Sequence, residues 1–214
     1  MSDVSDAYDR ALVGMSKEAE HAEGEGRTLP RERVSLRRDL LLEHAAMLRD
    51  ALGRPEDAER AYAVVLEQDE THQGAYEALE ALLRQRQAPA ELVALYRRRV
   101  DVTFNQGEQK ELLSRMTDIA RNVLDDRSAA IATAEELLDL IPDDLPTIEL
   151  LAEMYAEGEE PSDHESLEEI LGRWAEQTKD GQTRRQLMVR RAALRMQFLG
   201  DAFGAVDLLG QVLG

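Results

Sequence analysis

Cysteine is absent from this sequence. Its absence removes disulfides, thiol nucleophiles and cysteine-ligated zinc together, and it suits a chain that works in a reducing compartment. Aromatic residues are scarce, at 4%, so the core has to be built from Leu, Ala, Val, Met and Ile. Basic residues are outnumbered, 26 against 44 acidic ones, for a formal charge of −18. A surface of that sign repels phosphate backbones and anionic lipid heads, which require concentrated Lys and Arg. Nucleic acid and membrane are therefore not expected partners, whereas a neutral or basic protein or peptide is. No run approaches the roughly 18 apolar residues of a membrane span. The opening MSDVSDAYDRALVGMSKEAE places acids where a secretory signal has a basic start and an apolar stretch. The expected location is the cytoplasm.

What the sequence does contain is repetition. Three segments superimpose: Leu52 to Leu66 (LGRPEDAERAYAVVL), Leu124 to Leu138 (LDDRSAAIATAEELL) and Leu199 to Leu213 (LGDAFGAVDLLGQVL). They are offset by 72 and then 75 residues, and each has a leucine, a two-residue break and a helix-forming run. Ala58, Ala130 and Ala205 match, as do Val65, Leu137 and Val212. The longer offset places its extra residues in a loop around Gly158 to Asp163. Each unit divides again, because Pro55 and Pro89 are 34 apart, and so are Tyr62 and Tyr96. A period of 34 with a break near its middle is the length of one helix–turn–helix repeat.

Local chemistry marks the breaks. Leu41, Ala45, Leu48 and Leu52 form a stripe at three- and four-residue steps. Gly53 can end that helix in the left-handed conformation, and Pro55 suits the first turn of the next. Gly200 and Asp201 do the same in the third copy, while Asp125 stands where glycine would be better. Helices are expected near 4–21, 31–52, 55–68, 72–86, 89–105, 108–124, 127–140, 144–157, 163–178, 182–199 and 202–213. Short connections make successive helices antiparallel neighbours. The predicted fold is all-α, a right-handed superhelical solenoid of helix hairpins. Residues 1–30 form a helix and a flexible linker (His21 to Pro30), and 31–214 form the array, in units of about 31–105, 106–181 and 182–214. Leu52, Ala58, Leu66, Leu124, Ala130, Leu138, Leu199 and Ala205 are expected between helices, with Leu187, Leu194 and Phe198 as a second buried stripe. Trp174 is also expected in the core.

These residues resemble the tetratricopeptide repeat family. Its second helix carries a small residue, an aromatic four on, a small residue three later and then a proline. Here those places hold Ala58, Tyr62, Val65 and Glu70, and in the next copy Ala130, Ala134, Leu137 and Pro142. The first-helix pair is weakened to Ala45–Ala46 and Ala192–Ala193, and the turn glycine matches at Gly53 and Gly200. The family's tryptophan is missing, its aromatic is kept only at Tyr62 and Tyr96, and half-a-tetratricopeptide relatives fit as well. The resemblance covers about residues 31–213. It implies a concave groove for a peptide, helix or folded partner. The family's carboxylate clamp of Lys, Arg and Asn is not expected, because the only asparagines, Asn105 and Asn122, fall outside first-helix groove positions.

Catalytic chemistry finds no pattern to rest on. His21, His44, His72 and His164 show no metal-ligand spacing and are expected at surfaces or boundaries. Phosphate-loop, nucleophile-elbow and calcium-loop motifs are not found. Asp125–Asp126 and Asp143–Asp144 sit at helix junctions, where carboxylates cap N–H groups. No catalytic, metal or cofactor residue is assigned, and no enzyme is expected. Arg184, Arg191 and Arg195 share one side of the tenth helix, either as an anion or acidic-peptide patch or as a solvated face paired with acids. Leu208, Leu209, Val212 and Leu213 form an apolar face on the last helix. That face reads as the cut end of a longer array or as a self-association surface. Arg184, Arg191, Arg195, Leu208 and Val212 are accordingly the candidate partner-binding residues. The expected function is a non-catalytic scaffold that binds protein in its groove. The alternative is a structural spacer whose ends make the contacts.

Overall fold

The computed structural model describes residues 2–213, with side chains from residue 4 onward. Every regular element among them is a helix: α1 (Ser2–Gly24), α2 (Arg31–Asp50), α3 (Pro55–Gln68), α4 (Gln73–Gln85), α5 (Pro89–Val102), α6 (Gln106–Asn122), α7 (Arg127–Leu140), α8 (Leu145–Ala156), α9 (Pro161–Gln177), α10 (Gly181–Gln197) and α11 (Ala202–Leu213). The chain forms two compact units, Met1–Phe104 with α1 to α5 and Asn105–Gly214 with α6 to α11. In each unit successive helices pack as neighbours.

The breaks recur with the period seen in the sequence. Gly53, Asp125 and Gly200 have φ of 59°, 53° and 65°. After each, the next N–H reaches back six residues: Arg54 to Leu48 O at 2.9 Å, Asp126 to Ala120 O at 2.8 Å and Asp201 to Arg195 O at 2.9 Å. A left-handed residue lets the chain fold over the helix end and satisfy a carbonyl left open there. Gln87, 34 residues after Gly53, takes the same conformation at φ 55° between α4 and α5. Side chains cap the starts of the following elements. Asp126 accepts from Ala129 N at 2.9 Å, His72 from Ala75 N at 3.1 Å, and Asp144 from Thr147 N at 3.3 Å. These are donors that a helix start leaves unsatisfied.

The repeat-matched alanines Ala58, Ala130 and Ala205 are all at 0% exposure. No larger side chain fits where neighbouring helices approach so closely. Leu66, Leu138, Leu187 and Leu194 are buried as expected. The repeat leucines at the turns are not. Leu124 is 40% exposed, and Leu52 and Leu199 are half-buried. Each lies one residue past the helix cap, donating to a carbonyl five back, so its Cβ has left the buried stripe. Phe198 likewise sits at the cap of α10, 55% exposed, with its ring 4.0 Å from that of His164. Trp174 is half-buried against the core of the second unit.

The N-terminal segment departs most from expectation. The first helix runs on to Gly24, which leaves residues 25–30 as the connection. α1 lies antiparallel on α2: Ser5 Oγ is 3.1 Å from His44 Nε2, Tyr8 OH donates to Glu43 at 2.9 Å, and Arg37 donates to Ser16 Oγ at 3.0 Å. His44 is thereby buried to 5% exposure, stacked under Tyr8 with ring centroids 5.4 Å apart. It is not a surface histidine.

Candidate partner-binding grooves

Five arginine and apolar positions were singled out by sequence, and three of them meet in one place. Arg184 and Arg191 of α10 and Leu208 of α11 line a groove of about 350 Å³ whose other wall is α9. Neither arginine is idle. Arg184 donates to the last carbonyls of α9, Ala175 O at 2.9 Å and Thr178 O at 3.1 Å. Cationic donors there satisfy open carbonyls and complement the negative end of the helix. Arg191 crosses the buried face of Gly172 to reach Glu168 Oε1 at 2.9 Å. Arg195 does not line this groove. Its Nε donates to the same Glu168 oxygen at 2.8 Å, and its Nη1 lies 3.2 Å from Asp201, which caps α11 through Gly204 N at 2.9 Å. Arg191 and Arg195 are thus paired with acids, Glu168 and Asp201, while Arg184 is held by backbone carbonyls alone.

The expected apolar face of α11 is split: Leu208 and Leu209 pack inward, while Leu213 stays open. Leu208 is buried with Ala192 and Ala205, and Val212 is half-buried. Leu213 is 88% exposed, and Phe203 (90%) and Val206 (66%), which the sequence reading left out, stand open beside it. α10 covers the Ala205–Leu208 side, so the open stripe is the one at 203, 206 and 213.

A second groove had no counterpart in the sequence reading. α7 and α9 form its walls and α8 its floor, and it comprises two cavities of about 320 and 290 Å³ that share Glu135, Tyr155 and Ser166. From Arg127 to Asp139 its α7 wall spans about 18 Å at the helical rise. Leu138, Leu151 and Ile170 are buried beneath it. Its two arginines are held by backbone carbonyls and, for Arg127, also by a carboxylate. Arg127 binds Met154 O at 2.8 Å and Asp163 Oδ1 at 2.6 Å, and Arg173 binds Pro142 O at 2.8 Å. The Arg127 contact holds the Asp163 carboxyl below the usual range despite the opposing effect of burial. Tyr155 donates to Glu135, and burial followed by that carboxylate pushes the phenol well above its ordinary pKa. Asp139 and Glu169, both exposed, make no ion pair among the described residues. The signal was present as helical steps, Glu135–Asp139 on α7 and Ser162–Ser166–Glu169–Arg173 on α9. Only folding shows that the two stripes face one cleft.

Ser5, His44 and Asp9 form a triad-like row, with Asp9 Oδ1 3.8 Å from His44 Nδ1. Ser5 is only 3% exposed, wedged against α2, which leaves an acyl group no approach to its Oγ. The row holds α1 to α2. Among the described residues no three His, Asp or Glu side chains converge as a metal site, and no helix is long and apolar enough to cross a membrane.

Within each unit the architecture is a run of helix hairpins, most of them closed by a left-handed turn and packed through small residues, which is the pattern that the tetratricopeptide resemblance implies. No family model matches the chain, and no curated protein matches it. Among solved structures it is similar to YrrB, described as a TPR protein with an unusual peptide-binding site, at 13% identity. That match covers 81% of this chain and 84% of that one, with a TM-score of 0.41. MamA is 16% identical over 79% of this chain and 92% of its own, also at 0.41. PilF of Pseudomonas aeruginosa is 12% identical over 99% and 91%, again at 0.41.

Proposed function

We propose that this protein is a non-catalytic scaffold that holds a protein or peptide partner in the grooves between its helix hairpins. The observation that supports this most directly is the α7–α9 groove, an open cleft with buried Leu138, Leu151 and Ile170 beneath a polar rim. Clefts with an apolar base and a few directed polar groups are where ligands are held and oriented. The neighbouring α9–α11 groove, with Arg184, Arg191 and Leu208, offers a second position beside the same α9 wall. Arg195 supports it by bridging Glu168 and Asp201.

The test is site-specific photo-crosslinking in the native lysate. The probe is placed at Ser166 in the groove and, as a control, at exposed Asp118 on α6. A protein trapped from Ser166 alone, and then bound by the purified chain in solution, is the expected result. Equal trapping from both positions, or none, would remove the groove from the function.

A structural role through contacts outside the grooves draws on α11. Phe203, Val206 and Leu213 follow the three- and four-residue steps of a helix-pairing seam through Gly210, and Asp207 is the only charge on the helix. In a chain of net charge −18, this face carries little charge to repel a second copy. Sedimentation should show concentration-dependent dimers that Phe203→Glu abolishes, while Val212, half-buried, contributes less. A monomer at high micromolar concentration counts against this reading.

A further inference from the structure

Resting on the groove-binding reading, we propose that the α7–α9 groove takes a basic segment: an apolar side chain over its base, with Lys or Arg on either side against Asp139 and Glu169. The charges in the cleft are not symmetric. Arg127 is paired with Asp163 and held by Met154 O, and Arg173 donates through one nitrogen to Pro142 O and keeps its charge, so the lining holds four carboxylates (Glu135, Asp139, Asp163, Glu169) against two guanidinium groups. Glu135 accepts from Tyr155, but Asp139 on α7 and Glu169 on α9 are left without an ion pair among the described residues. Two uncompensated carboxylates on opposite walls favour cations between them, and the net charge of −18 adds to that bias over longer range. An acidic segment meets a carboxylate excess on both walls that Arg173 offsets only in part. Between the carboxylates only the edges of Leu138, Leu151 and Ile170 reach the cleft, so an apolar side chain gains a small contact there and the charges carry the selectivity. A wall of about 18 Å accommodates about five residues of extended chain at its usual rise.

The probes are three fluorescein-labelled peptides of about eight residues: one of alternating Lys and Leu, one with Glu for each Lys, and one with Ser for each Lys. Binding to the full chain is read by anisotropy near 0.15 M salt, where contributions from distant charges are screened. The Lys/Leu peptide should bind most tightly. The D139N/E169Q pair should weaken it by about tenfold, as expected for losing two charge-assisted contacts. The control pair D118N/E67Q removes the same charge from exposed positions elsewhere and should change binding by less than about twofold. Thermal melts of both variants check that each is folded.

Equal weakening by the two pairs would mean general electrostatics and overturn the site. Preferred binding of the Glu or Ser peptide, lost on Ile170→Lys, would overturn the charge class while leaving the groove a binding site. Binding of none of the three would overturn both readings.

Discussion

Gly172 of α9 and Arg191 of α10 are in face-to-face contact: a Cβ added to Gly172 would lie 2.9 Å from the guanidinium carbon of Arg191. The missing side chain lets Arg191 cross α9 and reach Glu168. The two residues should therefore be coupled. With Arg191→Ala, Gly172→Ala should stabilise by about 1 kcal/mol through helix propensity. With Arg191 present the same change should be less favourable by about 1 kcal/mol, because the guanidinium must give way. Urea midpoints of the four proteins measure the coupling, and additive effects would refute the contact.

The left-handed turns make a prediction of opposite signs. Gln87→Gly should raise stability by up to about 1 kcal/mol, because a Cβ is strained at that φ and glycine is not. Gly53→Ala should lower it by about 1–2 kcal/mol for the same reason. Melting temperatures moving in one direction for both would contradict the turn geometry.

Ala130 is wholly covered by the core of the second unit, beside Ala134, Ile148 and Leu151. Ala130→Leu should overpack this contact and cost about 1–3 kcal/mol. Ala132, exposed on the same helix, serves as the control, and Ala132→Leu should leave the melting temperature nearly unchanged.

Acid should destabilise the second unit. Asp163 is held low by Arg127. Asp144 is raised by burial but lowered further by its bonds to Lys110 and Thr147. Because both folded-state values lie below the unfolded ones, their stabilisation is present above the ordinary carboxyl pKa of about 3.9 and is lost as pH falls through the folded values. Urea midpoints should drop between about pH 5 and pH 2. Arg127→Met should flatten that drop, and an unchanged slope would separate Asp163 from the effect.

Much of the hairpin pattern was legible in the sequence, because it depends on local rules. A glycine or aspartate directly after a leucine, with a proline or acid within the next two residues, specifies a turn without reference to the rest of the chain. The alanines at 58, 130 and 205 were likewise readable from their period. The turn leucines misled, since a helical stripe extrapolated by one residue crosses the cap at Leu124 and points to solvent. On α11 the exposed stripe differs from the expected one by only a few positions, and each position turns the side chain by about 100°.

Sequence by itself determined the helical array, its breaks and its acidic character, because propensity, turn conformation and charge are properties of short stretches. Tertiary structure decided that Glu168 would serve both Arg191 and Arg195, that His44 would lie beneath α1, and that Asp139 and Glu169 would face one cleft unpaired. Those outcomes depend on which helix faces meet across tens of residues, where a small rotation exchanges a buried pair for a solvated one.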